Sequence, residues 1–270
     1  MLSKIVLALV LCVVPVAAFP AIAVSITVAP PALPVVVQPP CPTPGYLWTP
    51  GYWGHGPAGY YWVPGVWVAP PRPGVLWTPG YWGLVGGVYG WHAGYWGPHV
   101  GFYGGVNYGF GYIGVGFVGG AWAGGVFRYN TAVVNVNTAV IHNTYVDRTV
   151  IRNVAVNRTS FNGPGGITAR PSPQERTAMN ERHIQATANQ IAHQQHAAAD
   201  RSQLASVNHG NPAGRASTAA NHAAATNHEG GRPANEAGRQ AGQAGRPAGR
   251  PEAGRPANGE RRAGQSRPEK

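Results

Sequence analysis

Acid–base catalysis needs ionisable groups held close together, most often two carboxylates or a histidine beside one. Between Val24 and Val146 the chain has no Asp or Glu. Paired-carboxylate chemistry, glycoside hydrolysis included, is therefore excluded from that stretch. Asp147 is the first carboxylate after it and is followed by Arg148, a pattern that reads as a surface ion pair of small effect. His142, Asp147 and Ser160 have the residue types of a hydrolytic triad, yet no Gly-x-Ser-x-Gly elbow presents a serine. Gly109-x-Gly111-x-x-Gly114 and Gly114-x-Gly116-x-x-Gly119 match a dinucleotide fingerprint. Neither opens a helix or precedes an acidic residue at the required distance, so the matches follow from glycine content. His193, His196 and Asp200 share one face of a helix and could hold a soft divalent metal. No fourth ligand accompanies them, and a solvated polar face accounts for them better. No catalytic residue, metal ligand or cofactor is assigned.

The residues left that could make a site are tryptophans. All but Trp122 come in pairs: Trp48 and Trp53, Trp62 and Trp67, Trp77 and Trp82, Trp91 and Trp96. Each pair lies in one phrase, for example Tyr46-Leu-Trp-Thr-Pro-Gly-Tyr-Trp53; the last has Ala93-Gly94 in place of Pro-Gly and is looser, as a terminal repeat should be. These eight rings are the candidate ligand-binding residues, able to stack on sugar rings or polymer. The competing reading makes them the core of a small β unit. The shortage of large aliphatic residues favours the core, because aromatics supply the dominant apolar burial available here. One buried and one exposed ring per pair is a third arrangement.

The elements positioning these rings follow from the phrase. Pro-Gly suits the centre of a type II turn, with Gly taking positive φ. As the loop of a two-residue hairpin it would place Trp48 opposite Trp53, a pair contributing up to about 1 kcal/mol. Type II turns, however, twist against the strands they join, so Pro-Gly could instead mark a corner or a longer, splayed hairpin. Tyr108-Gly-Phe-Gly-Tyr112 alternates as a strand, Ile113-Gly-Val-Gly-Phe117 alternates in the opposite phase, and the change of phase predicts a bulge or turn between Tyr112 and Ile113. Val133-Val-Asn-Val-Asn137 and Val150-Ile-Arg-Asn-Val-Ala-Val-Asn157 are β-prone; the repeated Asn-Thr-Ala-Val at 130 and 137 allows a short sheet or a solenoid-like rung. Ser172, Pro173 and Glu175 form a helix start with a capping box. The following segment, to about Ala199, predicts a marginal, solvated helix.

The fold expected is mostly β: a small antiparallel β-rich domain of tandem strand-turn-strand aromatic repeats, followed by a marginal helix and a long disordered tail. Its divisions are a signal peptide at 1–23, a Pro-rich extended segment with room for an edge strand at 24–44, four aromatic repeats at 45–97, a Gly/aromatic and Val/Asn/Thr-rich β segment at 98–161, a linker and polar helix at 162–210, and an Arg/Pro/Ala/Gly tail at 211–270.

The ends set the setting. Lys4, the apolar run from Ile5 to Val16, and Ala21-Ile22-Ala23 form a secretory signal cleaved before Val24. A retained membrane anchor is the alternative, but Pro15, Pro20, Pro30, Pro31 and Pro34 interrupt the span. Leu9-Val-Leu-Cys12 hints at a lipoprotein signal, with Leu11 where a small residue belongs. After cleavage Cys41 is the single cysteine, which rules out an internal disulfide or a zinc site; it reads as an unreactive small residue, with covalent pairing to another chain as the alternative. No aromatic residue follows Phe161, so the last hundred residues or so cannot bury enough apolar surface to offset their ordering entropy. The formal charge of +11 belongs mainly to this tail. It reads as a solubilising segment or as one that contacts anions of an envelope surface; nucleic acid is not an expected partner of an exported chain.

Tandem Tyr-x-Trp-x-Pro-Gly-x-Trp resembles the bacterial YXWGXW (WXXGXW) repeat proteins, sometimes labelled BcpO-related. The likeness extends through Gly94-Tyr-Trp-Gly-Pro-His-Val-Gly-Phe-Tyr-Gly-Gly-Val-Asn-Tyr-Gly-Phe-Gly-Tyr112, Ala169-Arg-Pro-Ser-Pro-Gln-Glu175 and Ala205-Ser-Val-Asn-His-Gly210, over roughly residues 24–210. It implies an exported protein of a Gram-negative bacterium and brings no catalytic residues. The expectation is a non-catalytic exported repeat protein, structural or interacting at the cell envelope, located in the periplasm, on the cell surface or outside the cell. The alternatives are a module binding glycan or cell-wall polysaccharide through exposed repeat tryptophans, and an outer-membrane-associated β protein. No transmembrane helix is expected in the mature chain; self-association is possible.

Overall fold

A computed structural model describes residues 25–151 and 157–212. The expected signal peptide, the tail from residue 213 and positions 152–156 of the second β-prone run lie outside the described residues. Among the described residues the fold is mostly β, built of short strands with three α-helices near its C-terminal side. The strands begin with β1 (Ser25–Ile26). Two broken hairpins follow. In the first, β2 (Leu47–Thr49) pairs with β5 (Val66–Val68), and β3 (Tyr52–Gly56) pairs with β4 (Gly59–Val63). The second repeats this with β6 (Leu76–Thr78) on β9 (Tyr95–Gly97) and β7 (Tyr81–Val85) on β8 (Val88–His92). The chain reverses at residues 57–58 and 86–87, not at Pro-Gly.

The Pro-Gly steps interrupt the hairpins halfway. Thr49 is opposite Val66 and Tyr52 opposite Val63, which sets Pro50-Gly51 level with Pro64-Gly65. Trp48 and Trp53 therefore do not face one another. The facing pairs join different phrases: Trp48 with Trp67, Trp53 with Trp62, Trp77 with Trp96 and Trp82 with Trp91. Their ring centroids lie 5.4, 5.3, 5.2 and 5.2 Å apart in tilted or edge-on contact, the arrangement favoured by the ring quadrupoles. So the corner reading holds and the repeating unit is two phrases.

The type II turn does not hold. None of Gly51, Gly65, Gly80 or Gly94 has a positive φ among the described residues. Space is what requires glycine there. A Cβ on Gly51 would run into Trp62 Cζ2 and stand 2.9 Å from Gly65 N; one on Gly65 would run into Trp48 Cζ2 and stand 3.0 Å from Gly51 N. Gly80 and Gly94 meet Trp91 and Trp77 in the same way. At each corner two backbones touch, and the first tryptophan of each phrase covers the glycine of its partner phrase.

β1 pairs with β8, and β15 (Phe161–Asn162) with β7, giving a sheet in the order β1-β8-β7-β15. β10 (Asn107–Gly109) and β11 (Tyr112–Ile113) form a hairpin; β12 (Gly120–Ala123), β13 (Val126–Asn130) and β14 (Thr144–Tyr145) form a three-stranded sheet. The turn expected between Tyr112 and Ile113 falls at Phe110-Gly111, with φ of 49° and 96°. Two positive φ values match the hairpin twist, and glycine alternation concealed the turn inside an apparent strand. Val133-Val-Asn-Val-Asn137 does not form a strand, although Val136 bridges Cys41. Asn130 and Asn137 accept from the amides of Ala132 and Ala139 at 3.2 and 3.1 Å. These side-chain turns compete with a strand ladder and explain why Asn-Thr-Ala-Val recurs.

Residues 25–44 run across the repeats as a strap. Proline lacks an amide proton, so this segment offers carbonyl acceptors, and indole is a donor only. Trp53 Nε1 donates to Ala32 O at 3.1 Å and Trp67 Nε1 to Pro39 O at 2.9 Å. Tyr60 donates to Val28 O at 2.8 Å, and Ser160 to Pro31 O at 2.6 Å. The tyrosines of the glycine-rich segment hold the corners from elsewhere: Tyr108 donates to Gly80 O at 2.6 Å and Tyr112 to Trp77 O at 2.9 Å.

α1 (Pro173–Met179) starts at the expected Ser172–Glu175 capping box. The helix does not continue to Ala199. Ile184 exchanges backbone bonds with Trp96 at 2.8 Å, adding a bridge to β9, and a second capping box, Thr187 with Gln190, starts α2 (Ala188–Ala199). α3 (Ala205–Asn208) ends the described fold. Among the described residues no helix is long and apolar enough to cross a membrane.

Candidate binding cavity at the four corners

The four corners converge on a cavity of about 260 Å³. Pro50, Pro64, Pro79 and Ala93, one from each phrase, line it together with Tyr52, Trp77, Trp91 and Tyr108. Tyr52 of the first hairpin stacks on Trp91 of the second, with centroids 4.9 Å apart and planes 20° from parallel. Trp82 Nε1 also ties the hairpins together by donating to Trp53 O at 2.8 Å.

The remaining wall comes from α2 and the residues before it: Gln185, Ala186, Gln190, Ile191, His193 and Gln194. This helix was expected to be solvated, but polar side chains dock it on the repeats. Gln190 Oε1 accepts from Trp96 Nε1 at 2.8 Å, His193 Nε2 meets Pro64 O at 2.8 Å, and Gln194 Nε2 donates to Tyr61 OH at 3.3 Å. Ala197 is buried beside Tyr61 and Val63. Apolar periodicity misses such a helix because its anchors are amides and an imidazole. Thr187-x-x-Gln190 was the available signal for where it starts.

Among the described residues no Asp, Glu, Lys or Arg lines this cavity. Burial holds the Tyr52 hydroxyl well above its usual value, and Tyr61 adds to the shift, so it stays a neutral donor. Gln190 and Gln194 each have one side-chain end without a partner among the described residues: Nε2 of Gln190 and Oε1 of Gln194. The site can therefore present aromatic faces and neutral amides.

Seven of the eight repeat tryptophans are buried, Trp96 at 0% and Trp77 at 8% exposure being the extremes; Trp91 is partly exposed. The structure thus puts most candidate ligand-binding rings into the core and brings Trp77 and Trp91 to the cavity. The second tryptophan of every phrase donates its indole N–H: Trp53, Trp67 and Trp82 to backbone carbonyls and Trp96 to Gln190. Trp48 Nε1 is buried without a partner among the described residues.

The other sequence candidates lie apart from the cavity or have structural partners. Asp147 is partly exposed and accepts from Thr149 N at 2.9 Å and Thr149 Oγ1 at 2.5 Å, which lowers its pKa. It caps a turn, and the expected pair with Arg148 is not formed among the described residues. Ser160 is bonded to the strap, and Asp200 Oδ1 caps the turn at Ser202 at 2.9 Å. Cys41 is buried at 2% exposure, and desolvation raises its thiol pKa, opposing thiolate chemistry. Of two carboxylates beyond residue 161, Glu175 is buried and Glu181 is partly exposed. Glu175 is 4% exposed and accepts from Ser172 N at 2.8 Å. Glu181 meets exposed His99 Nδ1 at 2.8 Å.

No curated protein and no solved structure matches the chain. The family model of the WXXGXW repeat matches twice, at residues 44–68 and 72–96. Each matched copy coincides with one broken hairpin and holds two Trp-x-x-Gly-x-Trp phrases. The first Trp covers the partner phrase's glycine, the glycine admits the partner backbone, and the second Trp faces the partner's first. By that match and that geometry, the chain carries two copies of the WXXGXW repeat.

Proposed function

We propose that the protein is a non-catalytic, exported repeat protein of a Gram-negative cell envelope, structural or surface-interacting, and related to the BcpO-labelled proteins it resembles. The observation that carries this reading is the use of the repeat rings as core, each second tryptophan fixed by an indole hydrogen bond. Export is supported by the N-terminal sequence and by the position of β1, which begins just after the expected cleavage site. Cleavage before Val24 would leave every described strand intact. To test it, the full chain is produced in a Gram-negative host, the envelope and cytoplasm are separated, and the mature N-terminus is determined by mass spectrometry. A protein beginning at Val24 in the periplasm, envelope or medium is expected. Cytoplasmic protein retaining Met1 would refute export.

The corner cavity favours a second reading, a module that binds glycan or cell-wall polysaccharide. It narrows the aromatic contribution from eight exposed rings to Trp91, Trp77 and Tyr52. An outer-membrane barrel is less favoured: the described strands are 2–5 residues long, whereas a spanning strand needs about 9–11.

A further inference from the structure

We propose that the cavity at the four corners is a binding site for a single uncharged sugar ring. The proposal rests on the second reading above and names its site and ligand class. Three observations carry it. The first is size. At about 260 Å³ the cavity is smaller than the roughly 300–1,000 Å³ typical of sites for drug-sized ligands, yet far larger than the roughly 30 Å³ share of one water. A compact ring or a cluster of waters fits; an extended polymer can enter only by one residue at a time.

The second is the aromatic wall. Trp91 is the partly exposed repeat tryptophan, and its position is set by its stack on Tyr52. An aromatic face carries the negative lobe of the ring quadrupole and attracts weakly positive C–H edges. A pyranose presents such a C–H face.

The third is the polar inventory. Gln185, Gln190, His193 and Gln194 line the cavity, His193 with its Nε2 engaged by Pro64 O, and among the described residues no Asp, Glu, Lys or Arg does so. A carboxamide both donates and accepts, which matches hydroxyl groups that do the same. An anionic or cationic ligand would lose hydration with no opposite charge to meet it, a cost that grows with burial. The corner geometry also prepares the site: the glycine contacts and α2's bonds to Trp96, Pro64 and Tyr61 fix its walls without a ligand.

The test titrates the full mature chain with glucose and N-acetylglucosamine, and in parallel with glucuronate and cyclohexanol. Amide and indole chemical shifts are followed by NMR. The neutral sugars should shift the Trp91 indole and the Gln190 and Gln194 side-chain amides, with glucuronate and cyclohexanol at least tenfold weaker. Trp91→Ala should weaken binding at least tenfold. Should that variant fail to fold, Ile191→Trp places a large ring at a lining position that is 46% exposed and should block binding with the fold intact. Absence of shifts with both neutral sugars, equal binding of glucuronate or cyclohexanol, or unaltered binding by the Ile191→Trp variant would overturn the proposal. Export can stand if the sugar site fails, because the mature N-terminus is measured independently.

Discussion

Gly65→Ala isolates the physical reason for the repeat's invariant spacing. The added Cβ would run into Trp48 Cζ2 and stand 3.0 Å from Gly51 N. Neither neighbour can retreat easily. Trp48 is 1% exposed and packed on Trp67, while the ladder pairs Thr49–Val66 and Tyr52–Val63 bracket the corner. Overpacking a close-packed interior costs about 1–3 kcal/mol, and the rigid backbone neighbour places this substitution near the top, about 3 kcal/mol. With a urea dependence of about 3 kcal/mol per molar, the unfolding midpoint falls by about 1 M. Two other glycines separate the causes. Gly59→Ala meets no atom within 4 Å but has φ of +94°, so only the backbone conformation opposes it, at about 1 kcal/mol. Gly90→Ala, in β8, has open space and no positive φ, and should change stability by no more than about 0.5 kcal/mol. Urea unfolding followed by tryptophan fluorescence should rank the losses Gly65, Gly59, Gly90. A Gly65→Ala midpoint equal to or above that of Gly59→Ala would refute the close-approach account.

Further perturbations address other parts of the fold. Trp67→Phe removes the indole donor to Pro39 O and leaves a fully buried site underfilled; a loss of about 2–3 kcal/mol is expected in the same unfolding assay, and a loss below 1 kcal/mol would argue against the indole–strap bonds. Thr187→Ala removes the cap that accepts from Gln190 N at 3.3 Å and should cost about 1 kcal/mol, with increased amide exchange in α2 but not in α1. Burial lowers the pKa of His55 and His92. A depressed pKa stabilises the fold above the unfolded value near 6.5 and loses that contribution as pH falls through the folded value, so stability should decline below about pH 6.5; the decline should shrink in the His92→Gln variant. Desolvation raises Tyr52, Tyr60, Tyr103, Tyr108, Tyr112 and Tyr129, so their stabilising effect is complete below the unfolded value near 10 and is lost as pH rises above it. Ultraviolet titration should show them ionising together with unfolding; smooth ionisation of a folded chain near pH 10 would contradict their burial.

Much of this organisation was legible in the residues. Trp-x-x-Gly-x-Trp announced a repeated β unit with an aromatic core because so few large aliphatic residues compete for it. The Ser172-x-x-Glu175 cap was legible because both partners lie within one turn. Glu175 as a buried carboxylate was not, since burial depends on what packs over α1. The phase change between Tyr112 and Ile113 lies two residues past the turn at Phe110-Gly111, because glycine serves equally as a strand spacer and a turn former.

Sequence alone determined the unit of repetition, the mostly β character and the absence of carboxylates from the repeats, because these follow from residue types and spacing. Tertiary structure decided which tryptophan faces which. Local geometry left Pro-Gly free to close a tight hairpin or bend a long one, and only contact between two distant phrases selects the bend. That selection fixes the rest: glycine is required by the opposite backbone, the rings become core, and four corners separated along the chain enclose one neutral cavity completed by α2.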